Sequence, residues 1–343
     1  MGRKRKSVTI YDVAKAAGVS VSTVSRVLND KVDVASETQE RVLAVIDQME
    51  YTSNLAARSM RSRKKNLIGL IVPDIGSPYS IEVMKGINRA IAESPFDLLV
   101  YTTGDVKKSG AASHEQYYVS LLNNSITDGA IVVASAASGF ISDAPIVSVD
   151  PHGDPVEDEP GYPFVQGTNY QGAVEAMAYL LDLGHTRIGF ITGRPEIGSG
   201  QRRLKGYKHA LADAGIKIDD ELIIEGDFTT ESGYRCGLSL LKLENPPTAI
   251  FAANDQSALG VFQAAEELGI KIPQDCSVVG FDNISEAKHL GLTTIDQFLE
   301  EMGYIAVQML IKLIDGAQLD EPVYKMPTKL VERTSCNGFP VPA

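Results

Sequence analysis

Val8-Thr-Ile-Tyr-Asp-Val-Ala-Lys-Ala-Ala-Gly-Val-Ser-Val-Ser-Thr-Val-Ser-Arg-Val-Leu-Asn29 carries the sharpest signal in the chain. Two short apolar-periodic segments meet at Gly18, where the chain can turn without a Cβ penalty. Thr9 with Asp12 forms a capping pair related to the S/T-x-x-E box, and Ser20 caps a second helix that runs to about Leu28. Val13, Ala14, Val19, Val24 and Val27 can pack the two helices together. That leaves Val21, Ser22, Ser25 and Arg26 on the outer face of the second. Helix, glycine turn, helix is the helix-turn-helix arrangement. Short polar groups and one arginine on the exposed face suit a major groove, where arginine can take guanine bidentately and hydroxyls can take phosphates. An ordinary helical hairpin would show the same packing pattern.

Reading outward, a third helix follows. Ser36 and Gln39 form a capping box, and Val42, Val45, Ile46 and Met49 form an apolar stripe. On the other side stands Arg3-Lys-Arg-Lys6. The first 65 residues hold 13 Lys and Arg against 7 Asp and Glu, a net of +6. The rest hold 19 against 37, a net of −18. A basic head on an acidic body suggests nucleic-acid contact by the head alone, with a solvated basic tail as the rival reading.

Length and composition set the outer limits. The 343 residues are 44% hydrophobic and 22% charged, globular values that exclude wholesale disorder. No apolar run approaches the ~20 residues of a membrane span, and no secretory signal is visible. Cys236, Cys276 and Cys336 lie far apart, which favours free thiols in a reducing, cytoplasmic setting over a disulfide framework or zinc site.

Residues 53–65 are polar, small and basic, a linker that could become helical against a partner. From Asn66 the texture changes. Compact apolar runs recur at Leu67–Val72, Leu98–Tyr101, Ala130–Val133, Ile146–Val149, Ile188–Ile191, Ala249–Phe251 and Val278–Phe281. Such runs suit strands buried on both faces. Amphipathic stripes lie between them: Met84, Ile87 and Ile91; Val174, Met177, Ala178 and Leu181; Ile305, Met309 and Leu313. Alternating β and α predicts parallel, doubly wound sheets, and about 275 residues predicts two lobes.

With these residues in view, the chain resembles the LacI/GalR family of bacterial transcription regulators. Val8–Asn29 is similar to the family's headpiece and Tyr51-Thr-Ser-Asn-Leu-Ala-Ala-Arg-Ser-Met60 to its hinge helix. Ile68-Gly-Leu-Ile-Val-Pro-Asp, Gly184-His-Thr-Arg-Ile-Gly-Phe-Ile, Asn254-Asp-Gln-Ser-Ala-Leu-Gly, Val279-Gly-Phe-Asp-Asn and Leu330-Val-Glu-Arg-Thr-Ser resemble its regulatory core. The likeness spans residues 8–335. It implies an α/β protein with a three-helix helix-turn-helix headpiece (1–52), a hinge (53–65) and a two-lobed, type I periplasmic-binding-protein-like core (66–343). The first lobe is expected at about 66–165 plus 294–325, the second at about 166–293 plus 326–340. It further implies a homodimeric repressor of double-stranded, palindromic operator DNA, controlled by a small effector, most naturally a carbohydrate, with no cofactor and no membrane contact.

Position by position, the resemblance makes Val21 and Ser22 operator-reading residues and Arg26 the base-contacting arginine. Thr9, Tyr11, Ser20, Ser25, Asn29 and Tyr51 fall on phosphate or positioning contacts, and Asn54, Ala57 and Met60 on the hinge's minor-groove face. Met60 stands where the family usually has a wedging leucine, a role methionine can fill. Effector contacts fall on Tyr79, Asp150, Gln201, Phe228, Asn254 and Asp282. Asp150, Asn254 and Asp282 each follow an apolar run, where ligands of α/β modules sit. A carboxylate and an amide suit sugar hydroxyls, and an aromatic suits a sugar's apolar face. Gln201 replaces a common sugar-binding arginine, which favours a neutral sugar unless Arg202 or Arg194 reaches in.

Other chemistries find no support. Gly193-x-x-x-x-Gly198 begins like a phosphate loop, but Ser199-Gly200 replace the Lys-Ser/Thr pair. There is no HExxH, CxxC or GxSxG, so neither a metal nor a nucleophile is expected, and the scattered histidines read as surface or core residues. A transport solute-binding protein would explain the lobes but not residues 1–65; a sugar-processing enzyme would lack a catalytic constellation. The C-terminus has no heptads, so a dimer and no coiled-coil tetramer is expected.

Overall fold

The computed structural model describes residues 8–28, 34–49, 51, 65–104, 111–123, 126–135, 137, 139–151, 161–195 and 197–339. They fall into two compact units, Met1–Lys65 and Asn66–Ala343.

In the first unit, helices α1 (Ile10–Ala17), α2 (Val21–Leu28) and α3 (Ser36–Gln48) enclose Val13, Ala14, Ala17, Val24, Val27 and Val42. The Thr9–Asp12 box forms in both directions: Asp12 N–H donates to Thr9 Oγ1 and Thr9 N–H to Asp12 Oδ2. Gly18 closes α1 at φ 67, and a Cβ there would meet nothing, so the position needs left-handed backbone and not space. Ser20 caps α2 by accepting from Thr23 N–H at 3.1 Å. The expected Ser36–Gln39 capping box is not formed. Ala35 holds the cap position, its carbonyl accepting from Thr38 and Gln39, and Ser36 is the first helical residue.

The second unit contains two six-stranded sheets. β1 (Leu67–Val72), β2 (Asp97–Thr102), β3 (Gly129–Val133), β4 (Ile146–Val149), β5 (Phe164–Gly167) and a late strand β11 (Val323–Met326) form the first, in the order β11-β5-β4-β3-β1-β2, all parallel. β6 (Ile188–Ile191), β7 (Ile223–Ile224), β8 (Ala249–Ala252), β9 (Ser277–Asp282), β10 (Thr293–Asp296) and β12 (Lys329–Val331) form the second, in the order β12-β10-β9-β8-β6-β7. There, only the β10–β12 pairing is antiparallel. The helices are α4 (Pro78–Ala92), α5 (Ala111–Asn123), α6 (Asn169–Asp182), α7 (Gly198–Asp213), α8 (Thr230–Leu241), α9 (Asp255–Leu268), α10 (Ser285–His289) and α11 (Leu299–Ile314). The interior strands β3, β4, β5, β6, β8 and β9 are buried along their whole length, as two covered faces require.

The chain changes sheet three times: after β5, between β10 and α11, and between β11 and β12. Thr294-Ile295-Asp296 therefore pair in the second sheet, one to three residues beyond the approximate boundary expected, and Gln166 and Met326 belong to the first. The α6 stripe is also offset. Ala173, Ala176, Met177 and Leu180 are buried while Ala178 is exposed, because small residues here pack α6 closely against its neighbours. No helix among the described residues is long and apolar enough to cross a membrane.

Candidate functional site

Both sheets reverse their winding direction, the first beside β1 and β3, the second beside β6 and β8. Ligand crevices form outside the carboxyl ends of strands at such switch points. Here the two crevices face one another as a single cavity of about 680 Å³. Strand ends supply its walls: Pro73 and Asp74 after β1, Ala134 after β3, Asp150 after β4, Arg194 after β6, Asn254 after β8, and Asp282 ending β9. Ala134, Asp150, Phe228 and Asp282 line it with positive φ values of 49°, 52°, 69° and 111°. Non-glycine residues held there cost of order 1–3 kcal/mol each, a pattern concentrated at ligand sites.

Of the six effector residues expected, five line this cavity: Tyr79, Asp150, Phe228, Asn254 and Asp282. Gln201 does not. It is exposed on α7, and its Nε2 donates to the Pro195 carbonyl at 3.1 Å. Arg202 is not among the lining residues, whereas Arg194 is. The buried cation is Arg203, 2% exposed. Helix periodicity explains this. Ser199 and Arg203, four apart, share the α7 face toward the cavity, while Gln201 lies on another. Counting along that helix could have found Arg203 in the sequence.

Arg203 is held on several sides. Nε donates to Asn169 Oδ1 at 2.8 Å, Nη1 donates to the Ala253 carbonyl, and the guanidinium carbon lies 3.8 Å from the Phe281 ring centre. Nη1 also lies 3.4 Å from Asp282 Oδ1. Burial pushes the Asp282 carboxyl up to about 7; Arg203 and a hydrogen bond from Gln297 oppose that rise, and Asp150 adds to it. Asp150 accepts from Asn169 Nδ2 at 3.5 Å. Burial, then Asp150 and Asp282, raise the Tyr79 phenol well above its usual range, and its hydroxyl has no hydrogen-bond partner in the structure.

Asn254 is spent locally. Its Oδ1 caps α9 by accepting from Ser257 N–H, and its Nδ2 donates to the Phe228 carbonyl at 3.0 Å. Phe228 lies on a glycine bed. A Cβ on Gly193 would stand 1.9 Å from the ring, so only glycine leaves room for it there. Asn169, Arg203 and Gln297 are buried polar residues at the site that the sequence reading missed. Among the described residues no group of three His, Cys, Asp or Glu is arranged to hold a metal. His185, which the sequence leaves open, is a core residue with both ring nitrogens bonded, to Thr248, Ser277 and the Asn337 carbonyl.

The headpiece residues are placed as follows. Ser22 and Arg26 are exposed on α2, and Tyr11 is 65% exposed on α1. Val21 and Ser25 are half-buried, Val21 resting partly against the helical core. Ser20 Oγ, besides capping, lies 2.6 Å from Ser22 Oγ. Thr9 is exposed but engaged in its cap, and Tyr51 packs on the headpiece core. Asn29, Asn54, Ala57 and Met60 lie outside the described residues.

Comparison with known proteins agrees with both halves. Residues 9–54 match the family described as bacterial regulatory proteins, lacI family, and residues 177–336 match a periplasmic binding protein-like domain. The HTH-type transcriptional regulator DegA of Bacillus subtilis (strain 168) is 38% identical over 304 residues, covering 86% of this chain and 88% of that one. The lac repressor dimer solved with operator and the anti-inducer ONPF is 26% identical with a TM-score of 0.82, covering 97% of this chain and 100% of that chain. A transcriptional regulator CelR–cellobiose complex is 28% identical with a TM-score of 0.69, covering 96% and 99%. This chain belongs to the LacI family of bacterial regulatory proteins and is a DNA-binding transcriptional regulator.

Proposed function

We propose that the chain is a repressor that binds a palindromic operator as a homodimer and takes a small neutral carbohydrate in the interlobe cleft, whose binding alters operator affinity. The observation that carries the effector reading is the cleft's polar lining. Asp150, Asp282 and Arg203 line the cleft with the Tyr79 hydroxyl, and the Phe228 ring adds apolar surface. Carboxylates and a hydroxyl suit a hydroxyl-rich ligand, and the ring suits a sugar face. Four lining aspartates against two arginines disfavour an anionic ligand. The solved relatives with operator and with cellobiose support both halves by analogy.

For the homodimer, support comes from an apolar groove of about 810 Å³ on the second lobe, lined by Leu259, Phe262, Ile270, Ile272 and the exposed Leu290. A second copy presenting the same face would cover it. Titration calorimetry of a carbohydrate panel against the full chain tests the effector reading. Micromolar binding of one neutral sugar, lost in Asp282→Ala, is expected. Binding undiminished in Asp282→Ala, or confined to anionic ligands, would overturn it.

A further inference from the structure

A line of buried polar groups runs beneath the cleft from one lobe to the other. Asp150, beside β4, meets Asn169; Asn169 meets Arg203; Arg203 meets Asp282; and Asp282 Oδ1 accepts from Gln297 Nε2 at 2.6 Å. Two members stand at the crossovers. Asn169 follows the first directly, and Gln297 lies within the second, between β10 and α11.

Gln297 is fully buried and its Oε1 has no hydrogen-bond partner. It presses on the end of β5 so closely that a Cβ on Gly167 would lie 2.6 Å from Oε1. The next residue, Phe298, holds φ 55 with its N–H bonded to Asp296 Oδ1. Thr168 Oγ1 accepts from Thr328 N–H at 3.0 Å, joining the first crossover to the third. Gln297 therefore touches a ligand-facing carboxylate at one end and the crossover system at the other.

An unsatisfied buried acceptor is costly, and an apolar side chain of the same size would avoid that cost. What the amide offers instead is two faces. Its NH2 donates to an ionised carboxylate; its carbonyl accepts from a carboxylic acid. An ionised Asp282 can only accept, which holds the amide with its NH2 toward the carboxylate; a protonated Asp282 can also donate, which lets the amide turn and present nitrogen instead of oxygen to Gly167. That is a discrete two-way element of the kind that carries coupling.

We propose that Gln297 is a positioning residue that transmits the state of Asp282, whether altered by a proton or by a ligand hydroxyl, to the crossovers joining the lobes. For the ligand arm the inference rests on the cleft reading above; for the proton arm it does not. The charged and titratable groups facing Asp282 are Arg203 from α7, Asp150 from beside β4, Tyr79 from α4 and Asp255 from α9. With its carboxyl pushed to about 7, neutral pH separates the two states.

Hydrogen exchange of the ligand-free full chain tests this, with the proton as the probe. Peptides spanning 166–170, 296–299 and 326–330 are followed from about pH 5.5 to about pH 8.5, corrected for intrinsic rates. In the unaltered chain, protection of these peptides changes at least roughly threefold across neutrality, while α9 stays flat. Gln297→Met and Asp282→Asn both abolish the step. Gln297→Glu restores one, with its midpoint moved upward because two carboxyls then share a proton. A flat profile in the unaltered chain, or an unchanged step in either Gln297→Met or Asp282→Asn, overturns the proposal. Sugar binding alongside a flat profile would remove the relay and leave the cleft reading intact; a step without sugar binding would do the reverse.

Discussion

Arg203 and Asp282 stand 3.4 Å apart beneath the cleft, both almost wholly shielded from solvent. Taking two charges out of water is costly, and breaking such a pair is costlier, because the survivor is left buried and unpaired. Arg203→Met should therefore destabilise the core by about 3–5 kcal/mol, read as a lowered denaturation midpoint. Arg203→Lys should recover only part of that, since an ammonium cannot serve Asn169, the Ala253 carbonyl and Asp282 together. A loss below about 1 kcal/mol in Arg203→Met would show that the pair does not hold the floor of the cleft.

The raised carboxyl of Asp282 has a signed consequence for stability. The folded chain keeps this proton up to about pH 7, whereas the unfolded chain releases it near the ordinary aspartate value. The folded state binds more protons across that window. Stability is then fully present at the acid end and declines as pH rises toward 7, by up to about 1.4 kcal/mol per pH unit. Burial raises Asp255 in the same direction. Asp282→Asn should flatten the slope between about pH 4 and pH 7 without removing it; an unchanged slope in urea melts would contradict the assignment.

Much of this architecture could be read in the residues, and the exceptions have physical causes. Runs such as Ile146–Val149 and Val278–Phe281 are recognisable because both faces are buried. Phe164–Gly167 and Thr293–Asp296 escape notice because Gln166, Thr293 and Thr294 are polar yet buried. Asp150, Asn254 and Asp282 were accessible since each follows an apolar run. Arg203 was within reach of helix periodicity, four residues after Ser199; Gln297 was not, since nothing local distinguishes a buried glutamine from a surface one, and the second crossover is what brings it under the cleft. The Ser36 box failed by one residue, within the ordinary play of helix ends.

The position of Gln201 allows a sharp negative test. Because it lies outside the cavity, bonded to the Pro195 carbonyl, Gln201→Ala should leave sugar affinity within about twofold, under about 0.5 kcal/mol. A tenfold loss in calorimetry would mean that the α7 start rearranges to bring it in.

In the headpiece, the reciprocal Thr9–Asp12 bonds satisfy two N–H groups at the start of α1. Asp12→Ala should lower headpiece stability by about 0.5–2 kcal/mol, seen as earlier melting of the helical signal.

Arg26 is exposed on α2, on the face left outside the helical core. Arg26→Ala should cost about 1–3 kcal/mol of discrimination between operator and unrelated DNA. Equal weakening on every sequence would reassign Arg26 to a phosphate contact.

The most direct trial is a mobility-shift titration on the DNA flanking the chain's own gene, with the carbohydrate panel, using the unaltered protein and Asp282→Ala. The expected result is a two-chain complex on a palindromic site at moderate salt, shifted in affinity by one sugar in the unaltered protein and by none in Asp282→Ala. Failure to form any sequence-specific complex, or a sugar response that survives Asp282→Ala intact, would contradict a regulator governed from this cleft.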